Sequence, residues 1–302
     1  MNQKLTPINT QNLPDVPISR IAPTPSGYLH LGNAVNFLVT WALVRRQNGV
    51  LHLRIDDMDA PRFRKDVLED IFECLDWLTL DWDAGPGSPD DFYRRFSLQA
   101  NKEYYRERLT TLGSQSGQLF CCTCSRSAIK KISPSGLYPG TCREAGHHFI
   151  PGRHAIRLKI PKHTMVKVDG WHIDLAQTFG DFILWRKDDQ PSYQLASLLE
   201  DERIAATLIV RGEDLLLSSA AQRYAAATLG LRAFPACRIR HHDLVLANDG
   251  EKLSKSRGAY ALKDIRESGL GPQVAFQAAA MVLGLPTNEI HAAKDLLTPS
   301  TE

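Results

Sequence analysis

The segment ISRIAPTPSGYLHLGNAV (Ile18–Val35), followed at Val50 by VLHLRIDDMD, decides the reading of this chain. Ile18 to Ala22 is a short apolar run of strand type. It enters Pro23-Thr24-Pro25-Ser26-Gly27, a turn that no helix continues through. Beyond the turn, Leu31, Ala34, Leu38 and Ala42 recur at helical spacing and predict a helix to about Arg46. Gln47-Asn48-Gly49 closes it, and Val50 to Ile55 reads as the next strand. Strand, turn, helix, strand is the opening of a parallel α/β sheet.

Working outward, helical patterns lie near residues 64–79 and 97–112, and the stretch 113–190 changes character, with serines, glycines, clustered cysteines and a His pair. Thr207 to Arg211 is strand-like, a helix is expected from Leu215 to Leu229, and a strand near Arg238–Leu246 leads into Lys252-Leu-Ser-Lys-Ser256. The layout is a nucleotide-binding α/β domain (18–112 and 191–258) split by an insertion (113–190). A polar, Pro-interrupted flexible arm (1–17) precedes it and a short helical C-terminal segment (259–302) follows.

The 302 residues carry 36 Lys and Arg against 34 Asp and Glu, a formal net charge of +2. A whole-surface basic coat for nucleic acid is thereby excluded, and any such contact must use local patches. The first 20 residues hold no apolar run, and no stretch approaches the roughly 18 apolar residues of a membrane span. Six cysteines, three of them at Cys121, Cys122 and Cys124, do not form a secreted disulfide pattern. A soluble, cytoplasmic protein is expected.

Two pieces carry phosphate chemistry. His30-Leu-Gly-Asn33 sits where a strand hands over to a helix, the position at which parallel sheets bind ligands and free N–H groups favour phosphate. His30 can donate to a phosphoryl oxygen, and Gly32 lets a nucleotide approach the backbone. Lys252-Leu-Ser-Lys-Ser256, in a loop flanked by Asn248-Asp249-Gly250, offers two lysines and two hydroxyls in five residues, an anion clamp. Alone, the first piece reads as an ordinary strand-to-helix turn with a surface His and the second as a solvated basic loop.

Together they resemble the two ATP motifs of class I aminoacyl-tRNA synthetases. The glutamyl branch is the closer likeness, through Arg20 to Gly32, Leu53-Arg-Ile-Asp-Asp-Met-Asp59, Leu80-Asp-Trp-Asp83 and Ile209-Val-Arg-Gly-Glu-Asp214. The resemblance covers roughly residues 18–260, and it departs at Asn33, where the motif has a second His. It implies a Rossmann-type catalytic domain with an acceptor-type insertion. Only 46 residues follow Ser256, fewer than an independent domain uses, so no anticodon-binding domain is expected. Asp59-Ala-Pro61-Arg62 also matches a shortened branch of this family, which glutamylates queuosine in the anticodon of tRNA(Asp).

What the resemblance implies is an ATP-dependent ligase that forms glutamyl-adenylate. His30, Lys252 and Lys255 would be catalytic, with Pro23, Gly32, Asn33 and Ser254 beside them around ATP, and Mg²⁺ would arrive with the nucleotide. Glutamate would be held by Arg20, Ala22, Thr24, Asp56, Tyr193 and Arg211. A guanidinium fork holds a carboxylate bidentately, and neutral glutamine would leave that charge unpaired. Asp56, where the glutamyl branch has Glu, does not exclude glutamine; Arg211 is the better discriminator. The implied partners are ATP, L-glutamate and queuosine-containing tRNA(Asp), without a membrane and with the chain as a monomer. The alternative is a truncated glutamyl- or glutaminyl-tRNA synthetase core charging a tRNA 3′ end.

Phe120 to Arg126 (FCCTCSR) starts as extended chain, so Cys122 and Cys124 share a face and Cys121 points away. With Cys142 they place three thiolates in 21 residues, a set suited to a structural tetrahedral zinc. The shortened branch shows the same Cys-x-Cys and Tyr-x3-Cys arrangement, which implies Tyr138 as fourth ligand; His147 or His148 is the chemically commoner choice. Cys74 and Cys237 sit in apolar contexts and read as core.

Overall fold

The computed structural model describes residues 5–245 and 261–298. Its strands, in chain order, are β1 (Ile18–Ile21), β2 (Val50–Leu53), β3 (Leu119–Cys122), β4 (Ala155–Leu158), β5 (Met165–Val168), β6 (Trp171–Asp174), β7 (Phe182–Trp185), β8 (Leu208–Gly212) and β9 (Arg238–His242). Two compact units result. Met1–Leu98, Ala206–Asp214 and Cys237–Glu302 belong to the first; Gln99–Ala205 and Leu215–Ala236 belong to the second.

In the first unit β1 and β2 pair in parallel, Ile18 opposite Val50 and Ile21 opposite Leu53, across the helix Leu31–Arg45. β8 and β9 also pair in parallel, with Arg211 opposite His241. Where one continuous parallel sheet is expected, the ladders are these two pairs, and residues 18 and 207 join them. Ile18 N donates to Thr207 Oγ1 at 2.9 Å, and Thr207 N donates to Ile18 O at 2.9 Å. The Leu31–Arg45 helix is buried nearly all round, from Ala34 and Val35 to Ala42 and Val44. That is why its sequence carries so few polar positions.

Arg45, in the last turn of that helix, pairs with Asp81 (2.9 Å) and Asp83 (2.7 Å), and Trp41 Nε1 donates to Asp81 Oδ1 at 2.6 Å. The segment Leu80 to Asp83 is therefore a clamp on the helix end. It continues as a further parallel partner of β2: Asp83 N donates to Leu51 O, and Leu53 N to Ala84 O, each at 2.8 Å. Gly85 follows at φ +119°, and a Cβ there would lie 2.1 Å from Leu53 O.

In the region expected to be a flexible arm, buried anchor residues alternate with exposed ones such as Asn9 to Asn12, Asp15 and Val16. Leu5 and Ile8 are buried in the core. Ile8 N donates to Val282 O at 2.8 Å, and the Arg240 guanidinium donates to Asn9 O at 2.8 Å and Gln11 O at 2.5 Å. Two isolated apolar residues among polar ones make no periodic pattern, so a sequence reading has nothing to detect there. The C-terminal segment is helical as expected, with helices Leu262–Glu267 and Gln273–Leu283; the second packs on Leu31–Arg45.

The second unit is wider than the expected insertion. It contains an antiparallel sheet, β3-β4-β7, and a β5-β6 hairpin, which the polar, glycine-rich sequence of 113–190 largely concealed. It also takes in helices Lys102–Ser116, Tyr193–Arg203 and Leu216–Thr228. Specific acids explain the shift. Asp189, just after β7, pairs with Lys102 and Arg106, each at 2.7 Å. Buried Glu200 accepts from Tyr105 Oη at 2.8 Å, and Glu202 accepts from the backbone N–H groups of Arg232, Ala233 and Phe234. Among the described residues, no helix is long and apolar enough to cross a membrane.

Gly85→Ala tests the outer edge of the first unit. A side chain at this φ, set against the Leu53 carbonyl, should cost about 2 kcal/mol or more. The melting temperature should fall by several degrees; an unchanged melting curve would contradict the packing described.

Candidate functional site

The first motif is built by the turn that precedes the Leu31–Arg45 helix. Pro23 and Pro25 stop the strand, and the freed carbonyls are taken up by the next segment: Asp56 N donates to Pro23 O and Arg64 N to Pro25 O, each at 2.9 Å. His30 is the residue that caps the helix, with extended backbone (φ −120°, ψ 172°). Asn33 Oδ1 accepts from His30 N at 3.0 Å. The oxygen of Asn33 is thus spent on the helix start, and its amide nitrogen is the end available to donate to a ligand. A Cβ on Gly32 would sit 3.1 Å from Cε1 of the His30 ring. The glycine makes room for the imidazole that crosses it.

The two arginines are deeply buried, Arg20 at 4% and Arg211 at 2% exposure. Each lies near the carboxyl end of its strand, β1 or β8, and these are the strands joined at Ile18 and Thr207. Ala22 is half-buried and Thr24 exposed on the turn. Asp56 is held by Arg54, with Oδ1 2.6 Å from Nε and Oδ2 3.1 Å from Nη2. A carboxylate has about four acceptor sites, so this pairing fixes its orientation and leaves capacity for an ammonium. Asp59 and Arg62 pair at 3.5 Å across the turn Ala60–Arg62. Tyr193 belongs to the second unit, where it is exposed at the first position of its helix. Lys252, Ser254 and Lys255 lie outside the described residues. The described chain on either side of them touches the same helix: His242 Nε2 is 3.3 Å from Asn36 Oδ1, and Ala261 bridges to His30.

Sequence reasoning missed several buried polar contacts in the first unit. His242 ends β9; burial holds its imidazole below the usual value, against a hydrogen bond from Nδ1 to the Asp243 carbonyl. Its contact with Asn36 spans 206 residues, and no local signal announces it. Asp57 is buried, accepts from Leu98 N at 2.8 Å and from Ser97 Oγ at 2.5 Å, and burial lifts its carboxyl above the usual range. Asp214 folds back on its strand, so that a Cβ on Gly212 would meet its Oδ1 at 2.7 Å. Cys74 is buried as expected, but it is not purely apolar. Arg266 Nη1 donates to its Sγ at 3.0 Å, and burial raises its thiol to about 12.

In the second unit Cys122, Cys124 and Cys142 have their sulfurs within 4.8 Å of one another and could hold a metal ion. The alternation read in the sequence holds in β3, with Cys122 buried and Cys121 on the other face. Tyr138 Oη reaches the same centre, 3.3 Å from Cys122 Sγ and 3.8 Å from Cys124 Sγ, while accepting from Cys142 N at 2.8 Å. The Arg157 guanidinium lies 4.0 Å above its ring. Burial raises the Tyr138 phenol, as do its hydrogen bonds to the thiols; the Cys142 thiol is brought down to about 6 because hydrogen bonds from Tyr138 and Thr123 outweigh burial. His147 and His148 are not in this group. They line, with Cys121, Arg106, Phe149 and Trp185, a separate cavity of about 570 Å³.

These features match known proteins over almost the whole chain. Residues 18–298 match the family of class I tRNA synthetases (E and Q), catalytic domain. A glutamyl-Q tRNA(Asp) synthetase of Symbiobacterium thermophilum is 37% identical over 287 residues, which cover 88% of this chain and 86% of that protein. A glutamate–tRNA ligase of Aquifex aeolicus is 32% identical over 292 residues; the match takes in 90% of this chain and only 58% of the ligase. The solved glutamate–tRNA synthetase of Elizabethkingia anophelis shares the fold, with a TM-score of 0.71 at 20% identity, and this chain spans 65% of it. With the first motif capping a buried helix and both arginines on the neighbouring strands, the chain belongs to the class I tRNA synthetases of the E and Q group.

Proposed function

We propose that this protein activates L-glutamate with ATP and transfers it to the queuosine of tRNA(Asp). The observation that carries the reading is the pair of buried guanidiniums, Arg20 and Arg211, on the adjoining strands β1 and β8, in a unit whose first helix begins at His30. A guanidinium fork can hold a carboxylate bidentately, and L-glutamate carries two carboxylates. The name of the Symbiobacterium relative supplies the acceptor.

In the reaction, the glutamate α-carboxylate attacks the α-phosphorus of ATP in line and pyrophosphate leaves. His30 and the free N–H groups of the helix start stabilise the charge on the α-phosphate. Asp56, oriented by Arg54, holds the amino group, Thr24 and Ala22 line the amino-acid pocket, and Tyr193 is assigned to glutamate by the family resemblance alone. Pro23, Gly32 and Asn33 shape the ATP site. Lys252, Ser254 and Lys255 gather charge on the leaving pyrophosphate; Mg²⁺ bound with the nucleotide would supply further neutralisation of phosphate charge. No protein nucleophile is required. Lys255→Ala should lower glutamate-dependent ATP–pyrophosphate exchange by about 10²-fold or more; near-normal exchange would remove this lysine from the mechanism.

The acceptor is tested by charging purified tRNAs. Glutamate should appear on tRNA(Asp) containing queuosine, not on the same tRNA with guanosine, and periodate treatment of queuosine should abolish transfer. Glutamate on the 3′ end of tRNA(Glu) would instead make the chain a short glutamyl-tRNA synthetase core.

The cysteine centre is proposed as a structural zinc site with Cys122, Cys124, Cys142 and Tyr138 as ligands. Tetrahedral zinc with bonds of about 2.3 Å sets its sulfurs about 3.8 Å apart, and Cys124 and Cys142 are 3.7 Å apart. Elemental analysis should find one zinc per chain, lost in Cys142→Ser or Cys122→Ser and retained in Cys121→Ser. Metal-free protein purified without chelator would refute the site.

A further inference from the structure

The helix Leu262–Glu267 is the first described element after residue 260. Six residues do not sustain a helix on their own, so its place is set by what it touches. At its start the backbone joins the first motif: Ala261 bridges to His30, and Leu262 N donates to Leu29 O at 2.8 Å. At its end Arg266 is held by the helix Lys65–Trp77. Nη2 donates to Asp70 Oδ1 at 2.8 Å and Glu73 Oε2 at 2.5 Å, and Nη1 to Cys74 Sγ at 3.0 Å. Asp70 is 2% exposed. A buried carboxylate of this kind demands its cation, and the guanidinium fork fixes direction as well as charge. Between the two ends, Lys263 stands 4.9 Å over the ring of Tyr28, with Arg64 at 5.0 Å, and Tyr28 Oη donates to Asp66 at 2.8 Å. One rigid contact thus runs from Asp70, through the short helix, to the backbone of the residue that presents the imidazole.

We infer that Arg266 is a positioning residue: anchored on Asp70, it holds Ala261 and Leu262 against Leu29 and His30 and thereby aims the His30 ring. The inference rests on the activity proposed above, with one readout that does not. Arg266→Met should lower kcat for glutamate-dependent ATP–pyrophosphate exchange about tenfold with the glutamate KM unchanged, and Arg266→Lys should recover most of it. In a His30→Ala background, where no ring is left to aim, the same Arg266→Met change should cost less than about twofold, the non-additivity of residues acting through one another. Asp70→Asn with Arg266→Met leaves no buried carboxylate facing a missing cation; it should keep a normal melting curve and still show the loss. Independently of activity, amide hydrogen exchange at Leu262 should accelerate in Arg266→Met while that of Val35 to Val39 stays unchanged. An equal loss in both backgrounds, no loss in either, or unchanged exchange at Leu262 would overturn the inference. A wild-type chain inactive with glutamate but showing the faster Leu262 exchange in the variant would overturn the proposed activity and leave the anchor standing.

Discussion

The helix Leu31–Arg45 sets the terms for the first unit. It is buried on nearly every side, so the strands β1, β2 and β8 and the helix Gln273–Leu283 must all supply apolar surface to it. One end cannot be treated that way, because the first N–H groups of any helix lack partners within it. Here that end is left toward the first motif, with His30 as cap and Asn33 spending its oxygen on the His30 amide. The N-terminus of a buried helix favours an anion, which is the ground on which the ATP site is proposed here. At the opposite end Arg45 is fastened by Asp81 and Asp83, so the helix is fixed at both termini by unlike means.

The same economy applies to charge. Arg20 and Arg211 are buried where strands end, and nearby Asp56 is already oriented by Arg54. In the proposed function these cations and this anion would receive a ligand that carries both signs. A site of preset charges needs little rearrangement when the ligand arrives, which is how electrostatic stabilisation is made effective at a barrier.

The second unit solves a different problem. Its sheet β3-β4-β7 is small, and the cluster of Phe120, Cys122, Ile129, Tyr138 and Cys142 beside it is smaller still. In small apolar clusters a metal ion can hold irregular loops, and the thiols of Cys122, Cys124 and Cys142 could hold one in this cluster. Tyr138 serves it twice, through its phenol at the sulfurs and its ring beneath Arg157.

Much of this was legible in the sequence because it is local. The prolines of the turn, the helical spacing from Leu31 to Ala42, the alternation that separates Cys121 from Cys122 and the motif residues His30, Arg20 and Arg211 are each read from the few positions around them. What the sequence alone did not show depends on partners far along the chain. Leu5 and Ile8 look like a loose arm until Val282 and Arg240 are beside them. Residues 97–112 look like part of the first unit until Asp189 and Glu200 claim Lys102, Arg106 and Tyr105. His242 meets Asn36, and Arg266 meets Asp70, across roughly two hundred residues. Periodicity and turn chemistry act on the nearest neighbours and so determine elements. Which buried charge meets which is decided only when those elements pack, because desolvation forces each buried ion to find a partner wherever the fold provides one.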